Sequence, residues 1–316
     1  MTNAYLNPWQ HTLKEVITFF GIGLHSGQRV MLRIEPADPD SGRVFVRSDV
    51  PAAEAEIPAL WNYSVNTELC TELQNVHGVC VSTVEHLLAA LYASGVDNAR
   101  IVINGPEIPI LDGSAHPYMS LIRSIGTRQQ NRARRAIQIT QPVAVHERDR
   151  SIALMPASVP RITLDIDFPN KAVGKQSLSM TLDDATISRE IVAARTFGFA
   201  KDIDRLRARG LARGGSLANA VVFDDERALN EGGLRFPDEP VRHKILDAIG
   251  DLALAGAPVL GHLHGRQSGH VMNTRILREL FRRRDCWCYL DLAEMREIPV
   301  ANVADVGNSA CSQESG

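Results

Sequence analysis

The 316-residue chain has no apolar run near the ~18 residues that mark a membrane-spanning helix, so no such span is expected. Its first residues, MTNAYLNPW, lack the apolar stretch of a secretory signal. Net charge is small, −3 from 34 basic and 37 acidic residues, which gives no reason to expect a nucleic-acid partner. Cysteines number five, an odd count with no C-x-x-C pair. They suit neither a disulfide framework nor a cysteine zinc site, and a reducing cytoplasm is the expected setting. Cys286 and Cys288, on either side of Trp287, read as strand residues. The glycine-rich turn at 21–27 is not a G-x-G-x-x-G run and carries no dinucleotide fingerprint. A hydrophobic share of 44% and a charged share of 22% fit an ordinary globular protein, and the length suits about two domains.

The first half alternates strand-like runs with turns. Residues 30–34, 43–47 and 99–103 suit strands, and 116–125 reads as a helix. The polar, basic stretch 126–135 is the best place for a domain boundary, giving domains of 1–130 and 131–316. Strand-like runs resume at 136–139, 151–155 and 161–168, and helices are expected near 200–209 and 241–255. Strands followed by helices in each half point to an α+β fold rather than a parallel βαβ sheet. The arginines at 205, 207, 209 and 213, and those at 282–284, read as solvated helix faces, with contact to anionic lipid headgroups as the alternative.

The most informative segment is PVRHKILDAIGD at 240–251. Val241, Ile245, Ala248, Ile249 and Leu252 recur at helical spacing. Pro240 suits a first helical turn, and Gly256 suits its end. His243 and Asp247 are four residues apart, so they share one face of that helix. Together they can reach a single metal ion, with Asp251 a further turn along. The plainer reading is a solvated surface pair.

A second segment, STVEHL at 82–87, gives the sharper reading support. Ser82 and Glu85 have the spacing of a capping box, which places a helix start at Ser82. Glu85 then caps, and His86 is an ordinary polar residue. Alternatively, His86 joins His243 and Asp247 as a third metal ligand while Glu85 addresses water. Two imidazoles and one carboxylate with an open fourth position suit a catalytic zinc. Spacing alone does not bring the two helices together.

Taken with PEIPILDGS at 106–114, ARTFGF at 194–199, GGS at 214–216, LNEGGLRF at 229–236 and SGH at 268–270, these segments resemble the UDP-3-O-acyl-N-acetylglucosamine deacetylase family. The likeness runs from about residue 12 to about residue 292, with the motifs in family order.

The resemblance implies two similar layered α+β domains, sheets outside and helices between, with the zinc site at their junction. It implies Zn²⁺ on His86, His243 and Asp247, with Glu85 as general base. His270, held by Asp251, becomes the second catalytic group, and Thr196 helps stabilise the oxyanion. Phe197 and Lys244 line the substrate site, Cys70 sits at its edge, and Phe168 lies towards the nucleotide. An insert near 196–222 lines an acyl tunnel. The implied activity is hydrolysis of the N-acetyl group of UDP-3-O-[(3R)-3-hydroxyacyl]-N-acetylglucosamine, by a cytoplasmic monomer that meets its acylated substrate without inserting into the membrane.

The chain departs from the family at three places. Gln267 stands where a lysine is expected, Arg150 replaces another lysine near the diphosphate, and His262 and His264 stand where smaller or apolar residues are expected. These leave open a diverged zinc amidase acting on another N-acylated sugar. A non-catalytic ligand-binding relative fits less well, since both Glu85 and His270 are retained.

Overall fold

The computed structural model describes residues 7–65 and 69–294. Two five-stranded sheets organise the chain. The first runs in the order Ile17–Ile22, Arg29–Pro36, Ala99–Ile103, Arg43–Arg47 and Glu56–Pro58. The second runs Val143–Glu147, Arg150–Met155, His262–Arg266, Arg161–Asp167 and Lys175–Thr181. Each sheet is built the same way. Its last strand in sequence inserts between the second and third, and makes the sheet's parallel pairing with the third. The other pairings are antiparallel. The topology thus carries a duplication that the residues themselves do not show.

Side-chain alternation explains why these runs become one-sided sheets. In Arg29–Pro36, Val30, Leu32 and Ile34 are buried while Arg29, Met31 and Arg33 are exposed. In Arg161–Asp167, Ile162, Leu164 and Ile166 are buried. Period two puts each apolar set on one face, which needs cover.

Six helices are present among the described residues: α1 Glu85–Ala93, α2 His116–Ile125, α3 Asp184–Glu190, α4 Ile203–Ala208, α5 Glu239–Leu252 and α6 His270–Arg282. One continuous core runs from Leu32, Ile34 and Ile101 of the first sheet, through Leu87, Leu88 and Leu91 of α1 and Ile245 and Ile249 of α5, to Ile162 and Leu164 of the second sheet. The arrangement is α+β, with helices packed between the two sheets. All nine residues of α1 are buried, as are twelve of α5. The two helices approach so closely at Gly250 that a Cβ there would lie 2.0 Å from the Glu85 carbonyl oxygen. Only glycine permits that contact.

The structure corrects one sequence expectation and adds elements that the sequence reading did not give. Ser82 does not cap a helix. It ends the strand Cys80–Ser82 and donates its backbone N–H to Pro106 O, while Thr83 takes φ +57° and α1 begins at Glu85. A strand-to-helix turn and a capping box share the same S-x-x-E spacing, and here backbone pairing wins. The basic stretch after Gly126 is a strand, Thr127–Ala133, antiparallel to Trp9–Leu13. Finally, α3 and α6 were not foreseen. The α6 signal is present in the buried Met272, Ile276, Leu277 and Leu280, but interleaved arginines dilute it.

Candidate metal centre and active site

The close contact of α1 with α5 brings His86 beside His243. The two rings lie 4.9 Å apart, edge to face. Asp247, one turn beyond His243, completes the group: its Oδ1 is 3.3 Å from His243 Nε2 and 3.6 Å from His86 Nε2. All three side chains are buried. His243 Nδ1–H donates to Ala194 O at 3.1 Å, which turns Nε2 towards Asp247. Asp247 Oδ2 accepts from Lys244 Nζ at 2.7 Å. Its Oδ1 is buried and has no hydrogen-bond partner. An uncompensated buried carboxylate oxygen is costly, and a cation shared with two imidazoles removes that cost. The donor set fits a divalent metal, and these three residues form a group able to hold one.

Protonation preferences agree with that chemistry. Burial pushes the His243 imidazole down to about 4, against the attraction of Asp247, which favours a neutral ligand ring. Burial opposes ionisation of Asp247, but His243 and Lys244 outweigh it and hold the carboxyl well below its ordinary value.

Glu85 precedes His86, and so points away from it around the first turn of α1. Its Oε1 lies 3.8 Å from His270 Nε2, which is in turn 3.7 Å from Asp247 Oδ2. Burial raises the Glu85 carboxyl above its ordinary value, against the pull of His270 and His86. His270 opens α6, and its Nδ1–H donates to Asp251 Oδ2 at 3.0 Å. Burial alone lowers this imidazole, but Asp251, with Glu85 and Asp247, lifts it to about 9. A carboxyl raised by burial and an imidazolium raised by carboxylates thus face each other beside the metal group, an arrangement suited to acid–base work.

Two residues here were not foreseen from sequence. Thr71 reaches Glu85, Asp251 and His270, and Asn273 Nδ2 donates to Asp251 Oδ2 at 2.8 Å. Asn273 stands three residues after His270 on α6, and that helical spacing is the one sequence signal it offers.

The flanking residues fall in three places. The ARTFGF segment is tied to the start of α5 by Arg195, whose Nε donates to the buried Glu239 at 2.8 Å. It is also tied to the PEIPILDGS loop, where Thr196 N–H donates to Gly113 O at 2.8 Å. Gly113 has φ +86°, and a Cβ there would meet Asn219 O at 2.2 Å. Phe197 then sits 6.3 Å from the His243 ring, within an aromatic cluster that includes Phe168 at 5.5 Å and Phe199. Phe168 therefore lies on the same aromatic wall as Phe197.

Cys70 is buried beside Thr71, and burial together with Glu85 pushes its thiol up to about 12. It lines a cleft of about 390 Å³ with His25, Leu69, Glu107, Arg209 and Leu211. The residues after α4 thereby face the first half of the chain.

Gln267 and Arg150 lie together at one end of the second sheet. Arg150 precedes the Ser151–Arg266 pair, and Gln267, at φ +49°, follows it. His262 and His264 occupy the same sheet. His262 Nε2 pairs with Thr163 Oγ1 at 2.8 Å, and His264 Nε2 with Asp165 Oδ2 at 3.1 Å. Each bond engages the Nε2 of its ring.

Residues 10–282 match the family model described as UDP-3-O-acyl N-acetylglycosamine deacetylase. The chain is 48% identical over 278 residues to the UDP-3-O-acyl-N-acetylglucosamine deacetylase of Myxococcus xanthus, covering 88% of each chain. It is 45% identical over 286 residues to the protein of that name from Phenylobacterium zucineum, covering 90% of this chain and 98% of the other. With the Legionella pneumophila protein of that name it shares 48% identity over 283 residues, covering 89% and 92%.

Proposed function

This chain belongs to the UDP-3-O-acyl-N-acetylglucosamine deacetylase family, and from that premise we propose that it is a zinc-dependent amide hydrolase. Its substrate is UDP-3-O-[(3R)-3-hydroxyacyl]-N-acetylglucosamine, and it releases acetate in the committed step of lipid A synthesis. The observation that carries the reading is the unpartnered Asp247 Oδ1, facing His243 and His86, next to the opposed Glu85 and His270.

His86, His243 and Asp247 are the residues to hold the zinc. When bound, zinc supplies Lewis-acid polarisation of the acetamide carbonyl and of water. Glu85 accepts a proton from the water that attacks that carbonyl, a task suited to a carboxyl raised by burial. His270, cationic near neutral pH, stabilises the tetrahedral oxyanion through Nε2 and protonates the departing amine. Asp251 holds the imidazole in that state. Thr196 contributes a further donor to the oxyanion.

Phe197 lines the acyl side of the substrate site and Phe168, against it, the side towards the nucleotide, with Lys244 and Cys70 at the edges of the sugar site. Gln267 and Arg150 stand nearest the diphosphate. We assign the chain two domains, 1–130 and 131–316, with the acyl-binding insert near 196–222. No helix among the described residues is long and apolar enough to cross a membrane. A cytoplasmic monomer with at most peripheral membrane contact fits this reading.

The test is acetate release from the UDP-sugar by purified protein, before and after zinc removal. Turnover that depends on zinc is expected. If the UDP-sugar is untouched but another N-acylated sugar is cleaved, the neutral Gln267 in place of a lysine marks a diverged amidase instead. Zinc binding with no hydrolysis of either would indicate a non-catalytic relative.

A further inference from the structure

We propose that Thr71 is a positioning residue that fixes both partners of the acid–base pair, an inference that rests on the deacetylase reading above. Thr71 is 2% exposed and directly precedes the strand Glu72–Gln74. Its backbone N–H donates to Glu85 Oε2 at 3.0 Å. That bond engages one carboxylate oxygen and leaves Oε1 as the oxygen turned to His270 Nε2.

The side chain of the same residue acts on the other partner. The Thr71 hydroxyl has one proton, which it gives to Asp251 Oδ1 at 2.5 Å. Its free lone pair lies 3.1 Å from His270 Nδ1, so the imidazole N–H is shared between Thr71 Oγ1 and Asp251 Oδ2. Asn273 holds Oδ2 as well. With Thr71 on one oxygen and Asn273 on the other, the Asp251 carboxylate cannot rotate without breaking a buried hydrogen bond. That fixed plane orients the His270 ring and directs Nε2 at the reaction space. One threonine thereby ties Glu85 of α1 to Asp251 of α5 and His270 of α6.

Loss of the hydroxyl leaves Asp251 Oδ1 buried without its donor and frees the carboxylate to turn. Hydrogen bonds to an ionised acceptor are among the stronger ones, so the catalytic consequence is large although Thr71 touches no substrate atom. Thr71→Val keeps nearly the same shape and removes the hydroxyl alone. Thr71→Ser keeps the hydroxyl and removes only the methyl group.

In the zinc-loaded enzyme, Thr71→Val is expected to lower kcat about ten- to a hundred-fold, with KM and zinc content unchanged. Thr71→Ser is expected to recover kcat to within a few-fold of wild type. Wild-type kcat in Thr71→Val overturns the proposal. So does an equal loss in both variants, which would make the methyl packing the cause, or a fall in zinc content. If Thr71→Val does not fold, Asn273→Ala releases the same carboxylate from its other side. It must then show a loss confined to kcat, and normal turnover there overturns the proposal. If wild type itself releases no acetate, the deacetylase reading fails and the positioning is read from the downfield Nδ1–H proton resonance of His270. That resonance should move in Thr71→Val and hold in Thr71→Ser, and no movement overturns the inference.

Discussion

Asp247 Oδ1 lies 3.3 Å from His243 Nε2 and has no hydrogen-bond partner, while its other oxygen is taken by Lys244. This division of one carboxylate gives Oδ2 to a fixed ammonium and leaves Oδ1 for the proposed metal. Purified protein should carry about one zinc per chain, and His86→Ala, His243→Ala and Asp247→Ala should each lose it, because a three-ligand site cannot spare one donor. Elemental analysis of the variants reads this directly. Full occupancy in His243→Ala would remove that residue from the site.

Glu85 is next to His86, a proposed ligand, without being one of the proposed three. Glu85→Ala should therefore keep its zinc and lose kcat by about 10²–10⁴, the scale of a missing general base. Turnover close to wild type, measured on a preparation of normal zinc content, would show that the carboxyl is only structural.

The His270–Asp251 pair makes stability depend on pH in a defined window. In metal-free protein the folded imidazole titrates at about 9 against an ordinary 6.5. A group raised on folding stabilises fully below its unfolded value, and that stabilisation disappears as pH rises through the folded value. Denaturant unfolding should thus show a loss between about pH 7 and pH 10, and Asp251→Asn should flatten it. An identical pH dependence in that variant would contradict the assignment. In the zinc enzyme the alkaline limb of kcat should move down in pH in the same variant.

Gly250 sets the distance between α1 and α5, the helices that carry the proposed ligands. Gly250→Ala drives a Cβ to 2.0 Å from Glu85 O, a backbone atom that cannot step aside. Overpacking of this kind costs about 1–3 kcal/mol. A lower melting temperature together with weakened zinc retention is the expected pair of results. A variant as stable as wild type would mean that α1 and α5 are free to separate.

Gln267 tests the diphosphate assignment. A lysine ammonium there would add a charge-assisted contact, so Gln267→Lys should lower KM roughly ten-fold with little change in kcat. If Arg150 already compensates, Arg150→Ala should raise KM sharply. A KM unmoved by both substitutions would place the diphosphate elsewhere and remove the case for a diverged amidase.

Helix α5 was legible in the sequence because its apolar positions repeat at 3.6 residues over four turns, and the His243–Asp247 pairing came with it. The strand Arg43–Arg47 was legible in its full extent because a short run of β-branched and aromatic residues, Val44, Phe45 and Val46, lies between two arginines. The duplicated topology was not legible, since strand order depends on crossovers between distant segments and leaves no local pattern. Thr71 was invisible for a related reason. Its partners lie far along the chain, and one threonine before a short strand has no periodicity to betray it. The Ser82–Glu85 spacing misled because sequence alone does not show that the Ser82 backbone is already paired with the 106–108 segment.

The burial of α1 also bears on the order in which the protein is made. Every residue of this helix is covered, and much of the cover comes from α5, which leaves the ribosome far later. Glu85 and His86 therefore wait, while everything between the two helices is made, on a largely apolar helix that lacks its main partner, a state that favours aggregation and chaperone capture. On the proposed ligand set of His86, His243 and Asp247, a metal has no complete site to enter until residues 239–252 have docked.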